Sequence, residues 1–335
     1  MDKITMAHGS GGKITHSLIK DVFFKHLGND ILERAEDSAV IDAGTGNIAF
    51  TTDSFVVKPL FFPGGDIGKI AVCGTVNDLA VTGADPKFIT CGFIIEEGFS
   101  CADLEKIVKS MAKSAKEAGV KIVAGDTKVV GRNEADGMFI NTSGIGVFGG
   151  KNRRLGSSDI KAGDKVIISG TLGDHGIAVL SKRQGLEFGS ETASDCAPLN
   201  GVIGELMEGF AGIKFMRDPT RGGLATTLNE ITPDSGIGIM LEEKNIPVLD
   251  GVRGACELLG LDPLYVANEG KIIVITSPAD EAGIIKVLRN SKYGKNAACI
   301  GEVSSDIPGK VCIRTRYGVT RIVDMLTAEQ LPRIC

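Results

Sequence analysis

The chain has 335 residues, 43% hydrophobic and 24% charged, with a formal net charge of −5. That length suits two domains or one large one, and the acidic balance argues against nucleic acid or an anionic membrane as the main partner, since both favour basic surfaces. Small anions are not excluded, because backbone N–H groups and metals bind them.

At the N-terminus, "MDKITMAHGSGG" lacks the apolar core of a secretory signal, and no later apolar stretch is long enough to span a bilayer. "HGSGGKIT" (8–15) invites a P-loop reading and fails it: the spacing needs Gly at 7 and Ser or Thr at 14, where the chain has Ala7 and Ile14. What is left is an N–H-rich segment with a lysine, suited either to wrapping polyphosphate or to an unstructured terminus. "HSLIKDVFFKHL" (16–27) has helical apolar spacing, and "NIAFTTDSFVV" (47–57) reads as a β-run interrupted by Asp53. "VVKPLFFPGG" (56–65) suits an interface segment or a core strand and turn equally.

An apolar-rich helix is expected at 66–81, a strand at 86–95 and a helix at 100–119, with Ser100 as N-cap and Gly119 as stop. "VKIVAGDT" (120–127) reads as a strand ending in a Gly-Asp turn, and 139–149 as another strand. The glycine-rich, basic stretch 149–164 breaks the pattern and is taken as the domain boundary. Beyond it, strands are expected at 165–170, in "IGIMLE", at 271–277 and near 297–303, 310–315 and 320–323. Helices are expected in "GIAVLSKRQG", "LNGVIGELME", "GGLATTLNEIT", "VLDGVRGACELLG" and "ADEAGIIKVLRN". Nothing is periodic from Thr327 onward. The class is α+β in two comparable halves, divided as 1–152 and 153–326, followed by a mobile tail, 327–335.

Three acidic residues, Asp53, Asp78 and Asp126, sit at the edges of apolar elements, where a carboxylate is costly to bury without a partner. Singly each suits a cap or turn; together they suit Mg²⁺, which prefers carboxylate oxygens and substrate phosphates. "DPTRGG" before a helix offers N–H groups to an anion and adds Asp218 as a further ligand candidate. Glu269 in "NEGK" is a candidate general base, whereas His175 in "GDHG" is better read as a packed or solvent-facing imidazole. The eight cysteines are scattered without a C-x-x-C pair, which suggests neither a zinc site nor a disulfide framework. Free, mostly buried thiols in a reducing cytoplasm are expected, and burial explains Cys335 least well.

Taken in order, "HGSGGK", "TTDSFVVKPLFFPGGDIGKIAVCGTVNDLAVTGADP", "AGDTKVV", "GTLGDHG", "DPTRGGLATTLNEI", "ANEGK" and the final "PRIC" resemble the HypE family of hydrogenase maturation proteins, from Met6 to Cys335. The wider superfamily is that of aminoimidazole ribonucleotide synthetase, with selenophosphate synthetase and thiamine-monophosphate kinase. The resemblance implies a two-domain α+β homodimer whose N-terminal domains pair their sheets. It implies ATP and Mg²⁺ as cofactors, a carbamoyltransferase partner (HypF) that places a carboxamide on Cys335, and dehydration of that carboxamide to a thiocyanate. The cyano group then becomes an iron ligand of [NiFe]-hydrogenase through the HypC–HypD assembly complex.

On that basis Asp53, Asp78, Asp126 and Asp218 are expected to bind Mg²⁺ and nucleotide, and Gly9, Gly11, Gly12 and Lys13 to cover the phosphates. Glu269 and Lys128 are the candidates for base, with His175 behind them; Lys128 is alternatively a stabiliser of departing phosphate. The tail would carry Cys335 from one protein to the next, Pro332 limiting its floppiness and Arg333 steering it toward phosphate. The alternatives are a thiol-bound carrier without catalysis of its own, or another phosphorylating enzyme of the superfamily. A selenophosphate synthetase would need a reactive residue near the N-terminus, where no cysteine precedes Cys73.

Overall fold

The computed structural model describes residues 4–9, 12–44, 46–149, 153–186, 192–232 and 236–326. The expected tail, 327–335, and the point 152/153 chosen as boundary fall outside or at the edge of these residues.

In the first half the strands are β1 (Ala39–Asp42), β2 (Asn47–Phe55), the short hairpin β3 (Phe61–Phe62) and β4 (Gly65–Asp66), β5 (Asp85–Glu96), β6 (Lys121–Val130) and β7 (Met138–Val147). Five of them form one sheet in the order β1-β2-β7-β5-β6, parallel only at β5–β6. One face of this sheet is covered by the helices Ile67–Val81 and Cys101–Ala118. Alternate residues on the other face, Phe50, Phe88 and Ile94 among them, are exposed.

The Ile67–Val81 helix explains how the two halves are joined. Asp66 caps it, its carboxylate accepting from the N–H groups of Gly68 (2.8 Å) and Lys69 (3.1 Å). Every residue of the helix except Lys69 and Asp78 is buried, so its apolar sequence must be covered on all sides. Ile70, Val72 and Val76 enter the core under the first sheet, whereas Ala80 and Val81 enter a core formed with Leu206, Ile203 and Val274 of the second half. Each buried Val, Leu or Ile contributes roughly 1.5–3 kcal/mol. Polar contacts add to the join: Asn77 donates to Ala197 O (3.1 Å) and accepts from Leu199 N (2.9 Å).

The Cys101–Ala118 helix has the expected ends. Ser100 Oγ accepts from Asp103 N, and Gly119 stops the helix at φ +72°. The 56–65 segment is resolved in favour of core and turn: Val57 and Phe62 are buried, and β3 and β4 form the hairpin.

The second half holds β8 (Lys165–Ile168), β9 (Ile213–Arg217), β10 (Gly238–Glu242), β11 (Ile273–Thr276), β12 (Ala298–Ser304), β13 (Val311–Arg314) and β14 (Thr320–Ile322). They form a seven-stranded sheet in the order β14-β13-β10-β12-β8-β11-β9, parallel only at β10–β13. Side chains alternate between two cores: Val166, Ile168, Ile273 and Ile275 point to one, Ile167 and Val274 to the other. Both faces are therefore covered, which is why "KVII" and "IIVIT" are near-continuous apolar runs.

The structure departs from the sequence expectations in a few places. The strand expected at 120–127 does not turn at Gly125-Asp126; β6 runs on to Val130, paired with β5 so that Gly92 faces Asp126. Gly125 is needed for close approach rather than for a turn, because a Cβ there would lie 2.6 Å from Cys91 O. β1 and β9 lie outside the expected strands, β1 being short and "IKFMR" interrupted by charge.

Candidate functional site

The two halves meet at a small cleft whose polar lining includes Asp53, Asp78, Asp218, Thr220, Arg221 and Glu269. Each comes from a definable piece of structure. Asp53 lies on β2 and faces the Ile67–Val81 helix, where Gly74 leaves room for the neighbouring Phe55 ring: a Cβ there would stand 3.1 Å from that ring and in ordinary contact, 3.8 Å, with Asp53 Oδ2. Asp78 is one helical turn after Gly74 and accepts from Thr51 Oγ1 of β2 at 3.2 Å. Asp218 directly follows β9, and Thr220 and Arg221 precede the Gly223–Ile231 helix. Glu269 precedes β11.

Burial of these carboxylates is the dominant electrostatic fact. It raises Asp78 and Glu269 well above the ordinary carboxylate range, with Asp218 and Asp53 adding repulsion in both cases. Burial also raises Asp53, opposed by Arg221, whose Nη2 is 3.7 Å from Asp53 Oδ1. Asp218 is pushed up to about 7, first by burial and then by Asp37, with Arg217 opposing. A cation among these carboxylates would favour their ionised forms. The donors are hard oxygens, which fits Mg²⁺. Among the described residues no three acidic, imidazole or thiol groups are gathered tightly enough to hold a metal alone.

Beside the cleft, Arg217 bridges Asp37 (2.8 Å) and Glu230 (3.0 Å), and Glu230 bonds His16 Nε2 (3.0 Å). This chain of contacts ties the N-terminal helical segment to the strand that carries Asp218. The glycine-rich entry to that segment rests on residues 324–326. Lys13 N donates to Leu326 O (2.9 Å), Lys13 Nζ pairs with Asp324 (3.0 Å), and a Cβ on Gly12 would fall 2.1 Å from Leu326 O. Gly9 ends a short 3-10 turn, Met6–Gly9. Gly11 and Cys335 lie outside the described residues.

The single chain thus brings Asp53, Asp78, Asp218 and Glu269 together, but not Asp126 or Lys128. In the lateral register Ser54, Asn141, Gly92 and Asp126 share a row, so Asp126 is three strands from β2, roughly 14 Å. It also lies on the sheet's open face, whereas Asp53 faces the helices. Asp126 is exposed and pairs with Lys128 (2.9 Å), whose hydrogen bond holds its carboxyl below the usual range. His175 is fully buried, with Nδ1 2.8 Å from Ser194 Oγ and its ring edge-on to Phe62: a packed imidazole.

Sequence reasoning did not single out Arg221, Arg217, Asp37 or Asp195. For Arg221 a signal existed, a cation between Thr220 and the Gly-Gly that opens a helix. For Asp37, beside Glu36, and for Asp195, both in polar stretches, there was none. The cysteines mostly follow expectation: Cys73, Cys91, Cys196, Cys256 and Cys312 are buried and free, while Cys101 is exposed. No helix among the described residues is long and apolar enough to cross a membrane.

Comparison with known proteins places this geometry. Residues 35–148 match the AIR synthase related protein N-terminal domain, and residues 161–311 the corresponding C-terminal domain. Carbamoyl dehydratase HypE of Bradyrhizobium diazoefficiens is 50% identical over 333 residues, covering 99% of this chain and 96% of its own. A HypE solved in complex with HypF is 52% identical, with a TM-score of 0.88 over 92% of this chain and 100% of that one. A HypE solved in complex with ATP is 48% identical, with a TM-score of 0.83 over 99% of this chain and 100% of that one. With two-domain architecture, cleft and full-length similarity in agreement, the chain belongs to the carbamoyl dehydratase HypE family of AIR synthase related proteins.

Proposed function

We propose that this chain is an ATP-dependent carbamoyl dehydratase in hydrogenase maturation, converting a carboxamide on its own Cys335 thiol into a thiocyanate, the source of the cyanide ligand of [NiFe]-hydrogenase iron. The observation that carries this reading is the cleft of Asp53, Asp78, Asp218 and Glu269 in a chain half identical to a carbamoyl dehydratase.

The chemistry follows from the amide. Its oxygen is a poor leaving group, so it attacks the γ-phosphorus of ATP, the bond from that phosphorus to the β,γ-bridging oxygen breaks to release ADP, and one N–H proton leaves as the O-phosphorylated imidate forms. The second N–H proton is then removed, the N–H electron pair completes C≡N, and the C–O bond breaks to release phosphate. ATP is the co-substrate, and positioning and charge stabilisation supply most of the catalysis in such a transfer.

Asp53, Asp78 and Asp218 would hold Mg²⁺, which when bound neutralises phosphate charge. Arg221 adds a fixed cation beside Asp53. Gly9, Gly11, Gly12 and Lys13 would cover the phosphates, with Lys13 exchanging Asp324 for the nucleotide. Glu269 takes the protons from nitrogen; burial makes it a stronger base than an ordinary carboxylate. Cys335 is the attachment point of the substrate.

Residues 1–152 form the ATP-binding and dimerisation domain, 153–326 the C-terminal domain, and 327–335 the segment that carries Cys335 between partners. The active form is a homodimer, and each chain lends Asp126 and Lys128 to the other's cleft, Lys128 to the proton transfer or the departing phosphate. The open face and free β6 edge of the first sheet support this. A HypF-type carbamoyltransferase loads Cys335 and a HypC–HypD complex unloads it, in the cytoplasm.

The test is intact-mass analysis of the protein incubated with the cognate carbamoyltransferase, carbamoyl phosphate and Mg-ATP. The expected outcome is a carbamoyl adduct that loses one water only with ATP, and no adduct in Cys335→Ala. An adduct that persists despite ATP would make the chain a carrier whose chemistry lies elsewhere.

A further inference from the structure

The loop 268–271 presents Glu269 to the cleft, and almost every polar group in it is tied down. Asn268 N donates to Pro219 O (3.1 Å), and its side chain donates to the same oxygen (3.0 Å) while accepting from Gly173 N (2.8 Å). This fixes the start of the loop to the segment that carries Asp218. The other end is fixed by Asp195. Its two carboxylate oxygens accept from Glu269 N (3.1 Å) and Gly270 N (3.2 Å), and Oδ2 also accepts from Lys271 Nζ (3.0 Å). Gly270 makes the contact possible, since a Cβ there would lie 1.9 Å from Asp195 O.

Asp195 and Lys271 are both almost wholly buried, at 3% and 7% side-chain exposure. An isolated buried charge of either sign would be unstable, so each requires the other. Neither side chain of the pair is part of the cleft lining. It grips the backbone N–H of the cleft's own glutamate and of the residue after it, and a carboxylate with three donors is among the strongest hydrogen-bonded anchors available to a loop.

We infer that Asp195, locked by Lys271, is a positioning residue for dehydration, setting the Glu269 carboxylate at the distance from the amide nitrogen that proton transfer requires. The inference rests on Glu269 being the base. General-base catalysis depends on hydrogen-bond reach to the proton removed, and a displacement of about 1 Å from productive geometry lowers rates by about 100-fold. Asp195 acts through Glu269 and touches no reacting atom.

The test is single-turnover dehydration of the full chain, carbamoylated on Cys335, followed by intact mass after addition of saturating Mg-ATP. Four variants are compared: Asp195→Asn, Glu269→Gln, the two combined, and Asp195→Asn/Lys271→Met, which removes the buried pair as a unit if Asp195→Asn alone does not fold. Asp195→Asn is expected to slow dehydration by about 10- to 100-fold while ATP affinity stays within about 2-fold of wild type. Combined with Glu269→Gln it should add no further loss, because the group it positions is already gone. If Asp195→Asn and the paired variant keep the wild-type rate while Glu269→Gln is slow, the positioning role is overturned and the base stands. Equal slowing in both backgrounds, or a matching loss of ATP affinity, would make Asp195 merely structural. A wild-type rate in Glu269→Gln would remove the base assignment, and this inference with it.

Discussion

Asp174 and Asp195 share one lysine, and the sharing is unequal. Lys271 Nζ stands 3.0 Å from Asp195 and 3.6 Å from Asp174. Burial alone would raise Asp195, but Lys271, His175 and the loop N–H groups bring it below its ordinary value. One cation balances one anion, so Asp174, which burial pushes from 3.8 up to about 6, is the one that holds its proton to the higher pH. Its Oδ1 has no hydrogen-bond partner. The sign follows from linkage: with a folded value above the unfolded one, the contribution to stability is full below pH 3.8 and is lost as pH rises to about 6. The loss is of the order of 3 kcal/mol at most. Asp174→Asn should therefore lose less stability than wild type between pH 4 and pH 7, measured by urea unfolding at each pH. Equal losses in the two proteins would mean that Asp174 is ionised throughout. At this scale the sequence was partly readable. Asp53 and Asp78 could be picked out at the edges of apolar elements, and Asp218 and Glu269 in the polar, glycine-flanked breaks "DPTRGG" and "NEGK". Asp195 sits in a polar loop, and its importance arises only from the tertiary approach of residues 269–271.

Among the elements, the Ile67–Val81 helix does most to place the site, since it carries Asp78 and packs into both halves. Its closeness to the Cys101–Ala118 helix depends on Gly68: a Cβ there would lie 2.6 Å from Ile107 O and 2.7 Å from Met111 Cγ. Two effects compete in Gly68→Ala. Helix propensity favours alanine by about 1 kcal/mol, while overpacking against a backbone oxygen costs about 1–3 kcal/mol. The backbone cannot swing aside as a side-chain tip would, so overpacking wins. A net destabilisation of about 1–2 kcal/mol is expected in chemical unfolding, and a more stable variant would show that the two helices can separate freely. The helix itself was readable as an apolar-rich run at 66–81. The role of Gly68 was not, because an uninterrupted apolar pattern does not say which face meets another backbone. Gly125 illustrates the same limit, since close approach and turn formation call for the same residue.

For the whole molecule, the first sheet stands out because it is half dressed. Its helix-bearing face is core, while Phe50, Phe88 and Ile94 on the other face are 41–44% exposed, and edge strand β6 adds Val123 at 57% and Val129 at 68%. A free edge and an uncovered apolar face invite pairing with another chain, and a two-fold pairing of like surfaces is the commonest closed solution. Composition could not reveal this, and only the ordered motifs pointed to a paired sheet. The same arrangement gives Asp126 and Lys128 a use, since they lie on that open face, beyond reach of their own chain's Asp53. If they serve the partner's cleft, Asp126→Asn and Asp218→Asn should each be inactive alone yet complement each other when mixed. A mixed dimer has one cleft with its own Asp218 intact and the other chain's Asp126 intact, while its second cleft lacks both. With random exchange half the dimers are mixed, so about a quarter of wild-type dehydration should return. Val123→Lys, which places a charge on the edge, should yield monomers by light scattering and abolish that recovery. If Asp126 works within its own chain, every cleft in the mixture lacks one aspartate and no activity returns.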